Sequence, residues 1–339
     1  MDESSFGVFA ATALLAGFVF GYCAQRGGFC LTRALSNLVL TGDGSIARAY
    51  VLALVVAIVG THLLALAGSY APALGIAELP VRPFHWVANL VGGFVFGIGM
   101  ILSGGCAGSS WYRLGEGALG AWIVLFGFAL GATATNVGVL APVRKTLQEH
   151  ELLAGDQPAT LYHLLGVGPW PVIAGVVVLA ALWLARGAAE PEHGKWKWPL
   201  TGSVMGLVIA LGWYLSSYGG SPTGLTFAAN TGHLLTYPLV GFPNRVTWSM
   251  FVLVGLPFGS ALAAWQTRQF RWKAPPGFTS VQLFAGGLTM GVGALIAEGC
   301  NITQGLTNAA TLALGSLTAF GAMLAGGWAA LWMLFLRKS

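Results

Sequence analysis

Nine stretches of the chain are apolar over close to twenty residues each. They fall near 6–25, 50–69, 87–104, 117–138, 170–187, 199–217, 247–265, 280–297 and 310–335. As a helix, such a run matches the hydrocarbon thickness of a bilayer. In lipid each backbone N–H and C=O must be bonded within its own segment, so these runs can only fold as helices. Composition agrees: 56% of the 339 residues are hydrophobic and 8% are charged, against roughly 25% charged in soluble domains. The expected fold class is therefore an all-α integral membrane protein of about nine spans. A net charge of +5 is small for this length and suggests neither nucleic-acid binding nor a basic tail.

Asp2 and Glu3 lead the first run where a cleaved signal would carry basic residues, so it is expected to be a retained span. Stretches 27–41, 219–240 and 299–309 are too short or too polar to cross and are expected to be re-entrant or interfacial. Residues 142–165 form a polar loop with an amphipathic piece, 186–199 link two halves, and 267–277 make a short basic loop. With nine spans and the N-terminus outside, the outer side receives Arg82, Arg144, Lys145 and Arg245, and the inner side receives the other twelve of the 16 basic residues. That bias predicts an outer N-terminus and a cytoplasmic C-terminus.

"GGFVFGIGMILSGGC" (92–106) lies over "GGLTMGVGALIAEGC" (286–300) with five glycines, from Gly92/Gly286 to Gly105/Gly299, and the cysteine in register. At this glycine content, chance gives roughly a third of one such match over fifteen positions, so an internal repeat is expected. Five spans separate equivalent points. An odd number reverses direction, so the halves, 1–187 and 188–339, are expected to be inverted repeats within one membrane domain, with a site near the midplane. The spaced glycine pairs Gly17/Gly21, Gly93/Gly97, Gly202/Gly206 and Gly287/Gly291 are assigned to close helix packing.

The repeat gives Cys106 and Cys300 a meaning beyond apolar filler. Each ends an apolar run after a glycine, and small polar residues follow: Ala107 to Ser110 in one half, Asn301 to Gln304 in the other. Broken helix at membrane depth is tolerated only where it is buried in protein or lines a cavity. A third cluster, "GYCAQRGGFCLTR" (21–33), sets Arg26 at a helix end and Cys30 at the start of the next helix, an electropositive setting. Cys23 reads equally as packing in the first span. The four cysteines form no C-x-x-C pair and have no histidine cluster, which argues against zinc or thioredoxin-type chemistry. No metal or other cofactor is expected. Neutral thiols donate weak hydrogen bonds, and a conducting path needs sites weak enough to release their ion. A chain of S–H groups meets that need for a soft, sulfur-containing anion.

Other polar residues near these motifs have structural readings. Arg113 and Glu116 are expected to pair locally, with substrate steering by Arg113 as the alternative. Glu298, odd on an anion path, is expected to accept hydrogen bonds at the break or to be protonated by burial. Asn301, Gln304 and Asn308 would line or brace the same break. His62 and His233 read as packed or interfacial.

"AQRGGFCLTRALSN", "SGGCAGSSWYRLGEG" and "AEGCNITQGL", with the duplicated half, resemble the YeeE/YedE family of sulfur transporters, which includes thiosulfate uptake proteins. The resemblance covers nearly the whole chain. It implies about nine membrane helices plus short re-entrant helices, with Cys30, Cys106 and Cys300 relaying thiosulfate along a central path. It also implies a small cytoplasmic TusA-like sulfur-carrier protein as partner. The expected function is thiosulfate uptake across the bacterial inner membrane, without an enzymatic step. Three alternatives stand beside it: another sulfur or selenium species on the same fold, a membrane thiol-redox or sulfur-transfer protein, and a neutral-solute channel, against which the missing Asn-Pro-Ala pair argues.

Overall fold

The computed structural model describes residues 3–68, 80–152, 159–186, 195–217, 222–240 and 246–336. The expected boundary at 187/188 lies outside them, as do Arg245, Arg337 and Lys338 of the charge count. In chain order, α1 (Glu3–Gly27) turns at Gly28, in the left-handed region, into the short α2 (Leu31–Leu40). Helix α3 (Ser45–Leu66) starts five residues before the expected span because Asp43 caps it: Ser45 N and Oγ both donate to its carboxylate at 2.9 Å. Strand β1 (Phe84–His85) leads into α4 (Trp86–Leu102). A break at 103–106 separates α4 from the short α5 (Ala107–Gly115), and α6 (Leu119–Asn136) runs back. The polar loop then holds α7 (Ala141–Gln148), strand β2 (Glu151–Leu152) and α8 (Leu161–Leu164).

The second part of the chain is also helical. Helix α9 (Pro169–Leu184) precedes α10 (Trp198–Ser217), the short α11 (Ala228–Val240), α12 (Trp248–Gln266) and α13 (Gly277–Ile296). After α13 the chain forms a π turn (Thr303–Thr307) and a 3₁₀ turn (Ala309–Thr311). Helix α14 (Leu314–Leu331) then runs into a π segment, Trp332–Leu336. Among the described residues eight spans are long and apolar enough to cross a bilayer. The ninth expected span is α9, whose 16 residues reach only about 24 Å at 1.5 Å each. The long apolar stretch at 310–335 is broken at both ends, by left-handed Leu312 (φ 58°) and by the π segment.

The helices pack by backbone contact. A methyl group added at Gly17 or Gly21 of α1 would collide with the carbonyl oxygens of Val252 and Leu256 in α12, and one at Gly255 or Gly259 with those of Leu14 and Phe18. The other three expected glycine pairs meet partners in the same way: Gly93 and Gly97 meet α14, Gly202 and Gly206 meet α3, and Gly287 and Gly291 meet α6. The main helix pairs are α1 with α12, α3 with α10, α4 with α14, α6 with α13, and α4 with α13. Large side chains such as Phe20, Phe96, Phe128 and Met205 fill the interior, while Leu15, Leu179, Trp265 and Phe278 face outward. An apolar exterior is what a lipid environment requires.

Candidate functional site

Two helix breaks bring thiols together. Cys30 stands at the N-cap of α2 and Cys106 at the N-cap of α5, both with extended backbone. Their Sγ atoms lie 3.8 Å apart and both residues are buried. That distance fits S–H···S contact between free thiols, not a bond near 2.05 Å. Ser109 and Ser110 donate their hydroxyls to the Cys106 carbonyl, at 2.9 and 3.1 Å.

The third thiol belongs to the break after α13. Cys300 Sγ lies 3.5 Å from Thr303 Oγ1, which in turn accepts from Phe227 N at 3.3 Å. Phe227 immediately precedes α11, as Cys30 immediately precedes α2. Near the same break lies Tyr50 of α3, a residue the sequence reading did not single out. Its ring is stacked between Phe29 (5.0 Å, 5°) and Phe320 (5.6 Å, 6°). Its hydroxyl donates to the Asn301 carbonyl at 2.8 Å and lies within electrostatic reach of Cys30, Cys106 and Cys300 alike.

The two breaks are held in the same way. Gly104 (φ 63°) and Glu298 (φ 60°), aligned in the repeat, both take the left-handed conformation. Arg113 Nη1 donates to the Gly104 carbonyl, and Arg82 Nη1 donates to the Glu298 carbonyl, each at 3.2 Å. The Glu298 carboxylate reaches His85 Nδ1 at 3.3 Å and is partly exposed, so it neither collects N–H groups nor sits in deep burial as expected. The β1–β2 pair, with His85 opposite Glu151, fixes the segment that carries Arg82 and His85. Gln304 braces the break: its amide nitrogen bonds the Ala297 carbonyl, and its oxygen accepts from Ser316 Oγ (2.7 Å) and Asn308 Nδ2 (3.2 Å).

Open cavities flank the thiols. One, of about 690 Å³, has Cys30, Ser109 and Tyr112 in its wall. It also collects Arg33, Arg113, Lys195, Arg268, Arg271 and Lys273 around a single carboxylate, Glu116. The 267–277 loop reaches this rim because Arg271 N and Lys273 N bond the carbonyls of Glu116 and Gly117, both at 3.1 Å. A smaller cavity, of about 190 Å³, is lined by Arg82, Arg144, Glu298, Gly299 and Thr303, among others. Helix α13 runs from near the first rim to the second, about 30 Å for its 20 residues, so the cavities open at opposite ends.

Cys30, Cys106, Cys300, Asn301 and Tyr50 thus share one centre, while Arg113 and Glu298 stand at opposite mouths. Arg26 stacks on Trp196 at 5.9 Å and closes the end of α1 rather than joining the thiols. Cys23 packs inside α1 in the core. His62 is packed, with Nδ1 2.9 Å from the Ile58 carbonyl. Sequence reading overlooked the basic rim as a unit, because its members come from four separate segments. Only Arg33, one turn after Cys30 on α2, carried a local signal.

The fold and this centre define a multi-pass helical membrane protein with three buried thiols near its centre. The chain belongs to the sulphur transport family, whose model matches residues 26–329. It is 31% identical over 338 residues to the thiosulfate transporter TsuA of Spirochaeta thermophila, covering 96% of this chain and 99% of that protein. It is 28% identical over 344 residues to the thiosulfate transporter TsuA of Escherichia coli K12, covering 96% and 95%. This is a sulfur transporter, not an enzyme.

Proposed function

We propose that the protein carries thiosulfate inward across the bacterial inner membrane, passing it from Cys300 to the Cys106–Cys30 pair by hydrogen bonds. The observation that carries this reading is the set of three buried thiols, drawn from three helix breaks, lying between oppositely opening cavities. The two relatives named as thiosulfate transporters support the substrate. A thiol offers a weak donor to the anion's terminal sulfur, so each site binds lightly enough to release it. The rim with six cations is taken as the cytoplasmic face, which sets the N-terminus outside. The same rim is the natural landing place for the TusA-like carrier protein. The matched helix pairs, α1 with α12 and α3 with α10, α4 with α14 and α6 with α13, support two inverted halves. To test the relay, Cys30, Cys106 and Cys300 are each changed to Ala in cells that depend on thiosulfate for sulfur. Growth and uptake are expected to fall sharply in each; wild-type uptake in all three sinks the relay.

One observation favours a second reading, sulfur transfer through covalent thiol chemistry. The sequence lacks a C-x-x-C partner, yet Cys30 stands 3.8 Å from Cys106. That reading requires the Cys106 thiolate to attack the terminal sulfur of thiosulfate and release sulfite, leaving a persulfide on Cys106 that mass spectrometry detects after rapid alkylation. A relay by hydrogen bonding leaves every cysteine alkylated directly on its own sulfur, with no added sulfur.

A further inference from the structure

Asn301 is wholly buried, at 0% exposure, directly after Cys300. Neither its amide nitrogen nor its amide oxygen has a hydrogen-bond partner among the described residues. Its neighbours in the break contrast with it: Gln304 and Asn308 bond each other, and Gln304 also bonds Ser316 and Ala297. The Tyr50 hydroxyl donates to the Asn301 carbonyl at 2.8 Å; it also lies near the Asn301 side chain without meeting hydrogen-bond geometry to it. In the repeat the place of Asn301 is taken in the first half by Ala107, so the local backbone does not demand an amide here. A buried polar group left unpaired is destabilising, and one that stands in a native protein calls for a partner that comes and goes.

We infer that the Asn301 amide is the oxygen-binding half of a two-part substrate site, donating to the oxygens of the anion while the Cys300 thiol faces its terminal sulfur. This rests on the proposed transport of a thiosulfate-like anion and adds the group that selects it. A thiol alone favours any soft anion. An amide alone favours any oxyanion. Offered together by consecutive residues, they favour an anion with a sulfur at one end and oxygens at the other. A site built to hydrogen-bond a ligand group discriminates strongly against analogues without it, because its own donors are then left unpaired.

The test uses the full chain in proteoliposomes with radiolabelled thiosulfate, alongside thermal melts in detergent with and without thiosulfate. For Asn301→Ala the KM is expected to rise about tenfold or more. The melting temperature without ligand is expected to hold or rise, since an unpaired amide has gone, and the thiosulfate-induced rise in melting temperature is expected to vanish. Asn301→Asp, nearly isosteric but without the donor, is expected to lose more uptake than Asn301→Ala. Competition by hydrosulfide, which has no oxygens, should strengthen relative to thiosulfate in the Ala variant. A KM within about twofold of wild type overturns the inference, as does a lowered ligand-free melting temperature with the thiosulfate shift retained, which marks a structural amide. The relay is judged separately. If the cysteine variants abolish uptake while Asn301→Ala keeps its KM, only the amide site falls. If Asn301→Ala behaves as expected and the cysteine variants transport normally, the relay and the thiol half of the site both fall, and the two-part site is overturned.

Discussion

Glu298 and Gly104 occupy matching positions in two helix breaks, and both are left-handed. For glycine this conformation is free of penalty. For glutamate it costs roughly 1 kcal/mol or more, so something else keeps the side chain. Its contact with His85, partly exposed, returns at most about 1 kcal/mol. Glu298→Gly is therefore expected to melt at the wild-type temperature or above it, while the mouth lined by Arg82 and Arg144 becomes more attractive to anions and the KM for external thiosulfate falls. A melting temperature lower by several degrees would show that the carboxylate holds the break. The alignment exposed this contrast between the halves, and the shared left-handed backbone explains it. Tyr50 was not legible at this scale. It sits inside an apolar run, and nothing local marks a tyrosine that three distant thiols will surround.

At the level of helices, the backbone contact between α1 and α12 is the most exacting feature. Gly21→Leu drives a side chain into the Leu256 carbonyl, whereas Gly7, in the same helix, has open space around it. Gly21→Leu is expected to destabilise by about 3 kcal/mol and to lower the yield of folded protein, with Gly7→Leu indistinguishable from wild type in the same melt. Equal behaviour of the two variants contradicts the packing described. The glycine spacing was readable because backbone contact demands small residues at fixed intervals on one face. The early start of α3 was not, since it depends on the Asp43 cap rather than on hydropathy. The pairing of Cys30 with Cys106 was equally hidden: 76 residues separate them, and only the packing of α2 and α5 starts makes them neighbours.

Across the whole molecule the two mouths are unequal in size and charge. The wide mouth gathers six cations against one carboxylate; the narrow one offers Arg82 and Arg144 beside Glu298. Replacing Arg271 and Lys273 together by Glu is expected to cut uptake several-fold without changing the melting temperature. The loss should shrink at high salt, where charges a Debye length apart are screened. A salt-independent loss would assign those residues to folding instead. The basic loop at 267–277 was visible as a loop, yet its place at the rim follows from hydrogen bonds to the α5–α6 corner, which sequence does not reveal.

The wide mouth also bears on energetics. With that face cytoplasmic, as we propose, a dianion carried inward moves against an inside-negative potential, at about 2.3 kcal/mol per charge for each 100 mV. A fixed cluster of cations lowers the energy of an ion resting there, but it lowers it equally for ions arriving from either side. The vestibule therefore acts as a capacitor, not a battery: it sets how much anion waits on the inner side and how long. Net flow must then be drawn by whatever chemistry empties the vestibule or by an ion gradient coupled elsewhere along the path.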